Sequence, residues 1–389
     1  MRLAPLLPSP MKSSNVCPFG HLGHVLCSET VAEDTFPQKH RISQMTTPKS
    51  KTTLKAVAEQ LGLTPTTVSR VLSGKGDQYR ISEKTQRRVR DLAAKLNFSP
   101  NQIARGLRLS RTSTIGLIVP DISNPYFATI AHHVTAEARR RGYSILLCDS
   151  QEDTRYEIEA IQLMRNRSVD GLVLCAVGVS GEHLTDLAES DLQVVLVDRH
   201  HPNLAIPSVT SDNVRGAREA TEYLIRHGHK RIACLQGLQD SALNRDRVLG
   251  YQEAITRHEI PIDEELIVGD SFAQQSGYVA TRLLLHAQTN FSAILAMSNQ
   301  IALGALQALS EESLHIPKDV SIIAFDDSPY APYLATPMTT VKQRNEEMGQ
   351  IAVQLLFAKS ESQKPSHGLL LPTQLIERES VANIRLQDS

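Results

Sequence analysis

LKAVAEQLGLTPTTVSRVLSGKG, residues 54–76, reads as two short helices joined by a tight turn. Leu54, Val57, Ala58 and Leu61 recur at i, i+3, i+4 and i+7, an apolar stripe on a helix that ends at Gly62. Thr64 then stands where an N-cap belongs and Pro65 at the first helical position, so a second helix starts there. It turns Val68, Val71 and Leu72 inward and Pro65, Thr66, Thr67, Ser69 and Arg70 outward. Two such helices with a glycine-containing turn form a helix-turn-helix. Hydroxyls on its outer face suit phosphate oxygens, and Arg70 can donate two hydrogen bonds to a guanine edge.

Working outward, a third helix is expected from Ser82, again a capping hydroxyl. Val89, Leu92, Ala93 and Leu96 form its stripe, and Arg87, Arg88 and Arg90 its outer face. Residues 49–111 hold fourteen Lys or Arg against four Asp or Glu, a surplus that the chain's overall charge of -1 conceals. Concentrated basic charge accompanied by a motif is the footprint of a nucleic-acid-binding module, whereas charge alone is also met on solvated faces.

From Thr112 onward apolar runs (TIGLIVP, YSILLC, DGLVLC, VVLV, RIACLQG, AILAM, VSIIAF) alternate with helical stretches such as 125–141 and 213–227. That alternation means α/β architecture with parallel sheets covered by helices, and the strands are too many for one sheet. A break near 208–213 divides them into two similar lobes. Ligands of open parallel sheets lie at the carboxyl ends of strands. The candidates there are Asn124, Tyr126 and Phe127, then Asp198 and Arg199, then Asp326, with Arg247 opening a helix. Carboxylates, guanidinium groups and aromatic rings together suit a polyol, although a strand-end Asp also serves as a helix cap.

The five cysteines, Cys17, Cys27, Cys148, Cys175 and Cys234, show no CxxC spacing, which fits a reducing cytoplasm, and the last three read as small core residues. The histidines at 132–133, 200–201, 227 and 229 read as surface or loop residues without metal-ligand spacing, and no metal or other cofactor is called for. There is no GxGxxG after a strand, no GxxxxGK[ST], no HExxH and no GxSxG in context, so an enzyme is not expected. No apolar run is long enough to span a membrane.

Residues 54–76 together with ISEKTQRRVRDLAAKLNFSPNQIARGL (81–107) resemble the DNA-binding headpiece of the lac repressor family in order and spacing. The loop GKGDQYRIS is similar to that of its fructose repressor branch. The resemblance implies that Pro65, Thr66 and Arg70 read bases while Thr64, Thr67 and Ser69 hold the backbone. Tyr79 and Arg80 either add phosphate contacts or, for Tyr79, fill the loop. It also implies that 101–110 is a hinge helix, with Asn101, Arg105 and Arg108 on DNA and Leu107 wedged into the minor groove of a near-palindromic operator. VPDISNPYF, VDGLVL, VVLVDR, RVLGY, ALGALQAL and IIAFDD follow in the order of the family's effector domain. Family members commonly carry Asn-Asp where this chain has Ser298-Asn299, both counted as effector residues. With Arg199 and Arg247 present, that departure leaves sugar and sugar phosphate open.

The expected organisation is a disordered extension (1–48), with a true start at Met45 and a genuine regulatory extension both open, a helix-turn-helix headpiece (49–98), a hinge helix and linker (99–111), and a two-lobed periplasmic-binding-protein-like core (112–389). The N-lobe spans about 112–209 and 343–370, the C-lobe about 210–342 and 371–389. The implied function is a cytoplasmic, homodimeric transcriptional regulator, a repressor, that binds double-stranded operator DNA and a small effector. The alternative, a solute-binding protein with the same core, calls for a signal peptide where this chain has a basic headpiece.

Overall fold

In the computed structural model, residues 53–96, 98, 111–358 and 368–386 are described, and the chain divides into two compact units at Phe98. The expectations for 1–48, for most of 99–111, and for Asn101, Arg105, Leu107 and Arg108 lie outside the described residues.

The first unit is three helices: α1 (Leu54–Leu61), α2 (Pro65–Leu72) and α3 (Glu83–Lys95). Each starts on a hydroxyl cap, the side chains of Thr53, Thr64 and Ser82 accepting from the amides of Ala56, Thr67 and Thr85. Such caps answer amides that have no partner inside the helix. Gly62 ends α1 at φ 65°, a backbone conformation that costs glycine little. Val57, Ala58, Val68, Val71 and Val89 form the core, ringed by Leu54, Leu61, Leu72, Leu92 and Phe98.

The second unit carries two six-stranded sheets, β2-β1-β3-β4-β5-β11 and β7-β6-β8-β9-β10-β12. The first lobe's strands are β1 (Thr114–Val119), β2 (Ser144–Asp149), β3 (Gly171–Leu174), β4 (Val194–Val197), β5 (Ser208–Ser211) and β11 (Leu369–Leu371). The second lobe's are β6 (Ile232–Leu235), β7 (Ile267–Val268), β8 (Ala293–Ala296), β9 (Ser321–Phe325), β10 (Thr339–Lys342) and β12 (Gln374–Ile376). All neighbours are parallel except β12 with β10. Helices α4 (Pro125–Arg140) and α5 (Thr154–Asn166) belong to the first lobe, and α6 (Asn213–Arg226), α7 (Ala242–Arg257), α8 (Gln274–His286) and α9 (Asn299–Glu311) to the second. The last helix, α10 (Asn345–Leu356), packs beside α4 on the first sheet. Helices α8 and α9 touch through glycine, since a Cβ on Gly277 would fall on the Ile301 carbonyl and one on Gly304 on the Gln274 carbonyl.

The chain passes between lobes three times, after β5, after β10 and after β11. These crossings are bonded together: the Ser211 hydroxyl donates to Gln343 Oε1 (2.5 Å) and the Asp212 amide to the Leu371 carbonyl (2.9 Å).

Several expectations need correction. Strand β5 carries the first lobe to Ser211 rather than 209, because SVTS pairs by backbone bonds without an apolar run to mark its end, and β11, a strand of three residues, keeps Leu371 in that lobe. The expected parallel sheets are present, with β12 added as an antiparallel edge strand. Arg247 does not open a helix, for Ser241 caps α7 six residues earlier. His229 and His201 lie in loops, as one of the two readings had it, but are buried. His229 sits between Ser292 Oγ (2.9 Å) and the Ala382 carbonyl (3.2 Å), contacts distant in sequence and invisible in the motif RHGHKR.

Candidate functional site

The headpiece presents the outer face of α2. Thr64, Pro65, Thr66 and Arg70 are exposed, with Thr67 and Ser69 half-buried beside them. The Thr64 hydroxyl is already engaged as a cap, at 3.2 Å from the Thr67 amide and 2.9 Å from the Thr67 hydroxyl. On α3, Arg88 donates to the Leu61 carbonyl, Arg90 to Gln86, and Arg87 faces Glu83. Arg70 pairs with no carboxylate among the described residues and lies over the ring of Tyr79. Tyr79 and Arg80 are both exposed, in the loop between α2 and α3.

The core's candidates gather where the strand ends of the two lobes face each other. Asp198 follows β4 and Asp326 follows β9, the fourth strand of each sheet. Both hold left-handed backbone, φ 68° and φ 73°, which residues other than glycine, asparagine and aspartate rarely adopt. Tyr126, in the first turn of α4, donates from its hydroxyl to Asp198 Oδ1 at 2.5 Å. Gln343, on the second crossing, has its Oε1 at 3.0 Å from that hydroxyl and donates from Nε2 to Asp326 Oδ1 at 2.5 Å. With the single Tyr126 proton shared between Asp198 and Gln343, a buried relay of polar contacts runs from Asp198 to Asp326 across the lobes. A second bridge runs from Asn299 Nδ2 to Asn124 Oδ1 (2.9 Å) and Ser328 Oγ (3.0 Å).

Burial raises the carboxyl pKa of both Asp198 and Asp326, opposed in Asp198 by Arg199 and in Asp326 by Arg247. The Tyr126 hydroxyl is pushed well above its usual value by burial and by Asp198. Arg247 is wholly buried; it donates to Asn213 Oδ1 (2.9 Å) and to the Met297 carbonyl, and its guanidinium lies 4.0 Å from the centre of the Phe325 ring. Arg199 forks onto Glu152 with two bonds of 2.6 Å and sits between the rings of Phe127 and Phe272. Burial alone would lower the pKa of Arg199, but Glu152 and Asp198 outweigh it and hold the guanidinium charged.

Phe127 is mainly a core residue of the first lobe, and Ser298 caps α9 while its hydroxyl faces the Phe272 carbonyl. A cavity of about 430 Å³ opens beside the crossings, lined by Tyr126, Asp326, Gln343, Lys342 and Arg344. It shares the relay's wall, but Asp198, Arg199, Arg247 and Asn299 do not line it. Sequence reading missed Gln343, Phe272 and Glu152. Gln343 directly follows a strand end, the same signal that found Asp326. Phe272 follows the two-residue β7, too short to be recognised.

Beside this cleft, Glu157 is fully buried; it accepts from the Val177 amide (2.8 Å) and contacts His183 Nε2 (2.5 Å). Among the described residues no group of three or more His, Cys, Asp or Glu could hold a metal, and no helix is long and apolar enough to cross a membrane.

Comparison with known proteins places both units. Residues 53–101 match the bacterial regulatory proteins of the lacI family, and residues 112–379 match the periplasmic binding proteins and sugar binding domain of LacI family. The HTH-type transcriptional regulator RegA of Clostridium saccharobutylicum is 35% identical over 334 residues, 85% of this chain and 99% of that one. Among solved structures, the lac repressor dimer bound to operator and the anti-inducer ONPF aligns with TM-score 0.75 at 26% identity, covering 86% of this chain and 100% of that one. The transcriptional regulator CelR in complex with cellobiose aligns with TM-score 0.64 at 31% identity, covering 85% and 99%. A helix-turn-helix headpiece and a two-lobed core that both match in this way make the chain a member of the lac repressor family of transcriptional regulators, which are not enzymes.

Proposed function

We propose that the protein acts in the cytoplasm as a homodimeric repressor of a near-palindromic operator, and that a neutral, polyhydroxylated sugar bound between its lobes resets that affinity. The observation that carries the choice of effector is the state of the two arginines. Arg199 is neutralised by a forked bond to Glu152, and Arg247 is enclosed by Asn213, Met297 and Phe325. Both guanidinium groups are thus engaged by the protein itself, while the buried Asp198 and Asp326 offer acceptors to hydroxyl donors. Phe272 and Phe127 supply apolar surface for a sugar face, and the cellobiose bound by the CelR relative is a ligand of this kind. On DNA, Pro65, Thr66 and Arg70 read bases, Thr64, Thr67, Ser69 and Arg80 hold phosphates, and the hinge residues Asn101, Arg105, Leu107 and Arg108 complete the contact.

An effector that bonds to residues of both lobes favours one lobe angle over others, and the dimer carries that change to the headpieces. The test is fluorescence anisotropy of the full chain on the intergenic DNA beside its own gene, titrated with sugars and their phosphates. A free sugar that shifts the binding curve supports the reading, and a response to phosphates alone overturns it. Asp326→Ala is expected to keep ligand-free DNA binding and to abolish the response.

A further inference from the structure

The guanidinium of Arg70 lies 3.8 Å from the centre of the Tyr79 ring. Both side chains are exposed, so neither is confined by the headpiece core. What fixes Tyr79 is the loop that carries it. Gln86, a buried polar residue on α3, donates to Asp77 Oδ1 (2.8 Å) and to the Ile81 carbonyl (2.9 Å), clasping both ends of the segment. The Lys75 amide donates to the Arg70 carbonyl and the Ile81 amide to the Gly76 carbonyl, each at 2.9 Å. Gly76 leaves room for the clasp, since a Cβ there would fall on the Gln86 amide group. Arg80 takes left-handed backbone (φ 54°), which turns the chain directly after Tyr79.

We infer that Tyr79 is a positioning residue that sets base specificity: its ring holds the Arg70 guanidinium on the outer face of α2 with its N–H donors free for a guanine. An aromatic face attracts the cation without taking up any of its in-plane donors, unlike a carboxylate. The arginines of α3 show the contrast, with Arg87 facing Glu83, Arg88 on the Leu61 carbonyl and Arg90 on Gln86. A free arginine samples many rotamers and must give them up on binding, so one already held loses less. The inference rests on Arg70 reading a base, and it assigns the Tyr79 ring, rather than its hydroxyl, to the DNA interface.

The experiment is selection of a randomised duplex library by the full chain, read as base preference at each position, for wild type, Arg70→Ala, Tyr79→Leu and Tyr79→Phe. Arg70→Ala identifies the guanine position that this arginine reads. At that position Tyr79→Leu is expected to weaken the preference about two- to fivefold, the range of an exposed cation–π contact, and Tyr79→Phe to restore it. An undiminished preference in Tyr79→Leu overturns the inference. Equal losses in the Leu and Phe variants also overturn it, by assigning the effect to the hydroxyl and a phosphate. If Arg70→Ala alters no base preference, the reading of Arg70 fails and the inference with it.

Discussion

Arg247 is the side chain on which the second lobe's interior most depends. Its guanidinium bonds Asn213 and the Met297 carbonyl, and it is the cation that opposes the burial of Asp326. Arg247→Ala would leave those two buried acceptors unpaired and take from Asp326 the cation that opposes its burial, leaving it the Gln343 bond, a loss of about 2–5 kcal/mol. Urea unfolding of the core is the measurement, and a loss under 1 kcal/mol would contradict this assignment. His201 makes a prediction of opposite character. Burial and the neighbouring His183 lower its pKa from 6.5 to about 4, so the folded chain binds fewer protons than the unfolded chain. Its contribution is fully present above pH 6.5 and is lost as pH falls toward 4, reaching roughly 2 kcal/mol at pH 5. His201→Asn should flatten that part of the stability profile between pH 7 and pH 5.

At the scale of elements, what could be read from the sequence follows from how much apolar surface an element buries on its own. Strands β1, β3, β4, β6, β8 and β9 are buried along nearly their whole length and stand out as apolar runs. The edge strand β2 is half-exposed yet was still legible from SILLC. Strands β5 (SVTS) and β10 (TTVK) are mixed in character, and β7, β11 and β12 have only two or three residues, so backbone pairing defines them and residue type does not. Helix α7 hid its start for a related reason, because it buries Asn244 and Arg247 on its inner face and blurs the stripe. The candidate site was legible where it sits on well-marked strands, as at Asp198 and Asp326, and illegible where a crossing or a short strand carries it, as at Gln343 and Phe272. The α8–α9 contact gives an element-scale test: Gly304→Ala must push the two backbones apart, and a cost of about 1–3 kcal/mol is expected in thermal unfolding. For the hinge, Leu107→Ala should weaken operator binding more than binding to random duplex, and equal losses on both would dismiss the minor-groove wedge.

Across the whole core, the two lobes repeat one strand order and end their fourth strands on aspartates of the same unusual backbone conformation. The cleft is thus a meeting of two equivalent loops, tied by the Tyr126–Gln343 relay and by the bond from Asn299 to Asn124. Asn299→Ala removes the second tie, and a hydrogen bond of ordinary strength would shift the balance between closed and open cleft about two- to tenfold. Spin labels on opposite lobes should report a broader distance distribution in that variant, and an unchanged distribution would show that the relay alone holds the lobes.

The three crossings carry a consequence for dissection of the molecule. Each sheet receives its last strand only after the chain has built most of the other lobe, with β11 and β12 separated by Pro372 and Thr373 alone. Neither half is therefore a continuous stretch of polypeptide, and no single cut in the gene yields one lobe intact. A stop codon ahead of Leu369 would strip an outer strand from both sheets at once, whereas a protease nick after β5 would leave the C-terminal fragment still holding the first lobe through α10 and β11.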